Sequence, residues 1–190
     1  MLINIFDKNC AKILLSFLTS PGRNHNRKEI CERTGMNNIP LDISLNKLLF
    51  LKLIKENKRI YSLNLEHNLA KDMIEEGRAF SQIPFDAQFA IIELIADISK
   101  FRHIKRIILF GSYSKLIFSE RSDIDIAIIT EDNLPGKKQA QLEKQIFLIK
   151  NKLSKKYKKV IEMHYLNETD LKHKKDPFIK DILRNGKILV

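Results

Sequence analysis

Few features of this sequence would place it outside an aqueous compartment. Its two cysteines, Cys10 and Cys31, have neither the number nor the spacing of a disulfide framework or a zinc site. Cys10 lies in the apolar run CAKILLSFL and reads as a small core residue rather than a reactive thiol. No apolar run approaches the roughly 18–20 residues that a membrane-spanning helix needs. The first ten residues, MLINIFDKNC, lack the charged-then-apolar layout of a secretory signal. Internal repeats and low-complexity segments are also missing. The expectation is a cytoplasmic protein with no membrane partner.

Negative charge is scarce as well. The 190 residues hold 34 Lys and Arg against 23 Asp and Glu, a formal charge of +11. Residues 102–190 carry 20 basic against 11 acidic side chains, whereas residues 68–101 carry 3 against 6. The basic excess therefore sits at both ends, with an acidic stretch between them. Such a balance suits a nucleic-acid or other polyanionic partner, and it also serves plain solubility. An apolar content of 44% is enough to bury a core, and the length allows one ordinary domain or two small ones.

The first third reads as three helices and a hairpin. Asp7 can cap a helix with Ile13, Leu14, Phe17 and Leu18 on one face, stopped by Ser20-Pro21-Gly22. A short helix near Asn26–Arg33 ends at Gly35. A third is expected over Leu41–Leu53, after Pro40. Two strands, Leu53–Lys55 and Arg59–Leu65, should flank a turn at Glu56-Asn57-Lys58. This pattern resembles a winged helix-turn-helix domain over about residues 1–65. The resemblance implies DNA contacts from Asn37, Asn38, Asp42, Ser44, Asn46 and Lys47 on the third helix, and from Lys58 and Arg59 at the wing. A winged helix used only for protein contact or homo-oligomerisation is the competing reading, because the third helix is not very basic.

Residues 68–101 suggest two helices broken near Pro84, the second carrying Ile91, Ile92, Leu94, Ile95 and Ile98. The expected division is a winged helix domain at 1–67, a helical connector at 68–85 and a further domain at 86–190.

From residue 104 the chain alternates strand and helix, with the stretch LFGSYSKLIFSERSDIDIAII at its centre. A strand ending in Gly111-Ser112 can offer backbone N–H groups and a hydroxyl to phosphate oxygens, and glycine admits a close approach. Asp123 and Asp125 alternate at strand period, so both carboxylates share one face. Two carboxylates that close repel each other unless a cation joins them, and hard oxygen ligands suit Mg²⁺. A phosphate seat beside a magnesium seat is what nucleotidyl transfer needs.

Gly-Ser, about ten residues, then Asp-x-Asp among apolar strand residues resembles the signature of the polymerase-beta nucleotidyltransferase superfamily, its minimal nucleotidyltransferase branch above all. The resemblance spans about residues 90–190. It implies an α+β or α/β fold, a small mixed sheet flanked by helices. It implies two Mg²⁺ ions on Asp123, Asp125 and a third carboxylate, for which Glu162 is the candidate. It also implies ATP or another NTP on Gly111, Ser112, Lys115 and Ser122. The reaction would move an NMP, AMP by preference, to a hydroxyl of a protein or RNA acceptor. Leu116 departs from the family, where glycine is common. His164 shares a strand face with Glu162 and reads as a neighbour of the site. The alternative is a DNA-binding regulator or antitoxin whose degenerate transferase domain binds a partner, such as a toxin, without turnover. The helix expected over 137–157 is very basic and reads either as a solvated face or as a track for a polyanionic acceptor.

Overall fold

The structure is a computed structural model that describes residues 7–190. The chain forms two compact units, Met1–Gln82 and Ile83–Val190.

In the first unit, α1 (Lys8–Leu18) is capped by Asp7, whose carboxylate accepts from the backbone of Asn9 and Cys10. A short strand, β1 (His25–Asn26), leads into α2 (Arg27–Thr34), which opens on a capping box between Asn26 and Glu29. Reciprocal bonds of this kind satisfy two of the donors that a helix start leaves open. α2 closes on Gly35 in the left-handed region, φ 62°.

The third helix, α3 (Asn38–Phe50), begins three residues earlier than the sequence suggests. Pro40 sits inside its first turn, where its missing N–H costs nothing. The hairpin β2 (Ile54–Asn57) and β3 (Ile60–Leu63) also turns later than expected. Asn57 pairs with Ile60, so the tip is the two-residue Lys58-Arg59, both at positive φ. Tips of this type usually carry Asn-Gly, which hid the register from sequence. β1 joins β3 as a third strand that the sequence reading missed. α4 (Asn68–Ser81) completes this unit.

The second unit opens with α5 (Phe85–Ile98) and then β4 (Ile104–Phe110), α6 (Gly111–Lys115), β5 (Ile124–Thr130) and α7 (Gly136–Tyr157). β6 (Ile161–Asn167), a single 3₁₀ turn (Asp170–Lys172), α8 (Pro177–Asn185) and β7 (Lys187–Ile188) complete it. The four strands form a mixed sheet in the order β6-β5-β4-β7, with β5 parallel to β6 and antiparallel to β4.

Alternation along β5 divides its side chains. Ile124, Ile126 and Ile128 are fully buried on one face, each worth about 1.5–3 kcal/mol of transfer free energy. On the other face Ala127 and Ile129 join Ile108, Phe110, Leu171, Ile179 and Ile182 in a core beneath α8. Asp125 shares that second face, at the end of the strand where the apolar cover stops. Among the described residues no helix is long and apolar enough to cross a membrane.

Candidate active site

Three chain segments meet at one end of the sheet. Because β4 runs antiparallel to β5, the last residue of β4, Phe110, lies opposite Asp125. Because β6 runs parallel to β5, its second residue, Glu162, lies opposite the same aspartate. The Gly111-Ser112 turn, the Asp125 carboxylate and the Glu162 carboxylate are thus gathered by register alone.

Gly111 is fixed twice over. Its φ of 68° is a conformation that L side chains rarely adopt, and a Cβ built on it would fall 2.0 Å from Asp125 Oδ2. The glycine is what allows the carboxylate to lie against the turn. α6 then runs for five residues and ends at Leu116, which takes the left-handed conformation at φ 59°. This is the position where the resemblance leads one to expect glycine, and the backbone keeps the glycine-like geometry with a leucine in it. Ile117 returns its N–H to Ser112 O at 3.1 Å. Tyr113, fully buried, stacks on Phe118 with centroids 4.7 Å apart. These contacts tie the ten-residue connection back onto its own start.

Asp125, Glu162 and His164 can each direct one ligand atom so that all lie within 4.8 Å of one another. His164 Nε2 is 3.9 Å from Glu162 Oε2, and the imidazole packs edge-on to Phe110 and against Phe178. Partial burial pushes the Asp125 carboxyl above its ordinary value, and the charge of Glu162 adds to this, with Asp123 contributing less. His164 and Lys115 pull the other way. A carboxylate so placed gains from a cation, and two carboxylates with an imidazole are donors that a divalent ion accepts. The residues present therefore fit a metal.

The other residues singled out from sequence are placed less uniformly. Asp123 lies just before β5 and outside the group that closes to within 4.8 Å. Ser122 Oγ accepts the Ser119 N–H at 2.8 Å, bracing the connection. Lys115 reaches Asp181 on α8 at 2.7 Å. The Lys115 ammonium and the Asn185 amide hold Asp181 below the usual carboxylate range. Asp181 was not anticipated, since nothing in the sequence spacing brings α8 to α6. His164 was legible through its i+2 spacing from Glu162, yet was read only as a neighbour.

In the first unit, Asn37, Asn38, Asn46, Lys47, Lys58 and Arg59 are exposed. Ser44 is not. It is 3% exposed on the inner side of α3, where its carbonyl faces Cys10 Sγ at 3.9 Å, so the expectation that it faces DNA is corrected. Asp42 pairs with Arg27, and Lys47 with Asp7 at 2.8 Å.

A family model described as polymerase beta, nucleotidyltransferase matches residues 93–190, just over half the chain. The chain belongs to the polymerase beta nucleotidyltransferase family. A comparison with curated proteins gave no match. Among solved structures it is similar to a crystal structure of a toxin–antitoxin MntA–HpeT mutant, 23% identical over 55% of this chain and 72% of that one, TM-score 0.36. It is also similar to a crystal structure of a toxin–antitoxin with AMP-PNP, 26% identical over 53% and 70% of the two chains, again at 0.36.

Proposed function

We propose that the second unit is a divalent-metal-dependent nucleotidyltransferase that moves an NMP, AMP from ATP by preference, to a hydroxyl of a macromolecular acceptor, protein or RNA. The observation that carries this reading is the Asp125 carboxylate seated against the Gly111 turn, with Glu162 across the ladder. Two carboxylates beside a glycine turn support it, since a cation held by the acids would draw phosphate oxygens to the turn.

Asp123, Asp125 and Glu162 are the residues that would hold two Mg²⁺ ions. Bound there, such ions would neutralise charge on the phosphates and acidify a hydroxyl. Gly111, Ser112 and Ser122 would bind and orient the nucleotide phosphates. Lys115 would exchange Asp181 for a phosphate oxygen. Glu162, exposed at the edge of the group, would receive the proton of the acceptor hydroxyl. The hydroxyl oxygen then bonds to the α-phosphorus while the bond to pyrophosphate breaks.

The test is transfer of α-phosphate label from each of the four NTPs to host lysate and total tRNA. Wild type should label a band, and Asp123→Asn/Asp125→Asn should not. Turnover unchanged in that variant would refute the assignment.

For the first unit the reading is a winged helix-turn-helix that contacts DNA through Asn37, Asn38, Asn46 and Lys47 on α3, with Lys58 and Arg59 at the wing. One observation favours a second reading. α3 exposes Ile39, Ile43 and Phe50 (75, 64 and 85%), an apolar stripe that suits protein contact better than a major groove. In that reading the chain is a regulator or antitoxin that docks a partner through α3. DNA binding lost on Lys58→Gln/Arg59→Gln supports the first reading. Absence of DNA binding, with protein association abolished by Ile43→Glu, supports the second.

A further inference from the structure

α7 is charged almost entirely with one sign. Between residues 137 and 159 the chain has nine lysines and a single glutamate. That glutamate, Glu143, is engaged by the Gln139 amide at 3.0 Å. Only two of the lysines have an acidic partner among the described residues: Lys156 with Glu93 and Lys159 with Asp86. Lys137, Lys138, Lys144, Lys152, Lys155 and Lys158 are exposed.

Solubility alone does not require this arrangement. A solvated helix face gains from mixed charges three or four residues apart, and like pairs such as Lys152 and Lys155 cost a few tenths of a kcal/mol each. Lys137 and Lys138 stand in the first turn, which holds no acidic residue, at the end of the helix dipole that repels cations. The inner side of α7 is ordinary, burying Leu142, Ile146 and Leu153. On the outer side, Phe147 and Leu148 are 54 and 62% exposed among the lysines. An exposed aromatic within a cationic surface is what a base can stack on while its backbone is neutralised.

Both ends of the helix extend the pattern. Its 22 residues span about 33 Å. At its start lies a cleft of about 360 Å³ whose lining includes Lys100, Arg102, His103, Lys138, Gln141 and Gln145 and no carboxylate. At its end, Lys159 Nζ donates to Glu120 O in the connection between Ser112 and Asp123, at 3.2 Å. The next residue's carbonyl, Val160 O, receives the Ile124 N–H at 2.9 Å, one residue from Asp125.

We propose that the outer face of α7, from the Lys100–Arg102–Lys138 cleft to Lys158, binds a phosphate backbone and that its ligand is an RNA led toward the Asp125–Glu162 site. That this RNA is the acceptor rests on the transferase reading; the binding surface itself does not.

The experiment measures anisotropy of a labelled single-stranded RNA with full-length protein across about 50 to 200 mM salt. Single-stranded DNA of the same sequence and anionic phospholipid vesicles run in parallel. Wild type should bind RNA with a steep salt dependence. Lys144→Gln/Lys152→Gln/Lys155→Gln should flatten the log–log slope by about 2, at about 0.7 per lost contact, and weaken binding at least about tenfold at low salt. Phe147→Ala should weaken binding without changing the slope. Glutamine keeps helix propensity, and circular dichroism confirms that the variants fold. Lys28→Gln on α2 and Lys71→Gln on α4, both exposed in the first unit, should bind RNA as wild type does.

An unchanged slope in the triple variant overturns the proposal, as does binding to vesicles or DNA in preference to RNA. Failure of the two readings is distinguishable. RNA binding with no label transfer leaves the surface standing and removes the transferase. Label transfer to a protein with no RNA binding does the reverse.

Discussion

Replacing Gly111 by alanine separates two costs that coincide at that residue. The first is conformational: a left-handed backbone at φ 68° costs an L residue about 1–2 kcal/mol. The second is the added methyl, which would lie 2.0 Å from Asp125 Oδ2 and 2.9 Å from its Cγ. The carboxylate is the movable end of a side chain, so it will swing aside rather than break the fold. Gly35→Ala supplies the control, because that glycine has φ 62° and open space around it. Both variants should lose about 1–2 kcal/mol in urea unfolding. Only Gly111→Ala should also lose divalent-ion binding, by calorimetry, and label transfer, by on the order of a hundredfold, since a displacement of about 1 Å suffices for that. Gly111→Ala with wild-type metal affinity would refute the claim that this glycine exists to seat Asp125.

The remaining predictions concern charge and backbone at the same end of the sheet. In EDTA, Asp125→Asn should raise the melting temperature at neutral pH, because it removes a partly buried charge beside Glu162; added Mg²⁺ should stabilise wild type and not the variant. Asp181→Asn frees Lys115 from its 2.7 Å partner and should tighten ATP binding up to about fivefold, the size of a surface pair, whereas Lys115→Gln should weaken it. Asp181 titrates below its ordinary 3.8 in the folded chain, so its contribution is present above that pH and lost as pH falls through the folded value. The stability difference between wild type and Asp181→Asn should therefore vanish in acid. Leu116→Gly should be neutral or stabilising by about 0.5 kcal/mol, and Leu116→Val destabilising, because φ is 59° and a β-branched residue tolerates it worst. Equal stabilities for Leu116→Gly and Leu116→Val would contradict that account.

Much of this was legible because it rests on short-range pattern. The strand before Gly111, the strand period of Asp125 and the apolar stripe of α7 all follow from spacing within one element. The pairing of Asp125 with Glu162 needed the crossover through α7, but the hydrophobic run after residue 159 already pointed to a strand of the right length. Three things were not legible, each for a physical reason. The hairpin tip at Lys58-Arg59 uses residues that rarely take positive φ, so turn chemistry misplaced it. Ser44 is buried because its i+3 spacing from Leu41 and i−4 spacing from Leu48 put it on the buried stripe of α3, a position that its polar side chain disguised. Asp181 meets Lys115 only through the packing of α8 on the sheet, and no local rule encodes that contact.

Left-handed backbone also occurs at Asn133 and Lys158, but several unfavourable features of the second unit fall together. Gly111 and Leu116 both hold left-handed backbone, five residues apart. Asp125 and Glu162 face each other with like charge. Tyr113 is fully buried, and among the described residues its hydroxyl finds no partner. These lie on the segments that converge at one end of the sheet, while residues 126–129 of β5 are uninterrupted apolar packing. A sequence selected only for stability would relieve such costs one at a time, with glycine at 116 or an amide at 125. Their concentration where three segments meet is what a site held ready for a charged ligand requires, since the ligand's own interactions offset the strain. The same logic extends to α7, whose lysines weaken their own helix along the face that ends at this site.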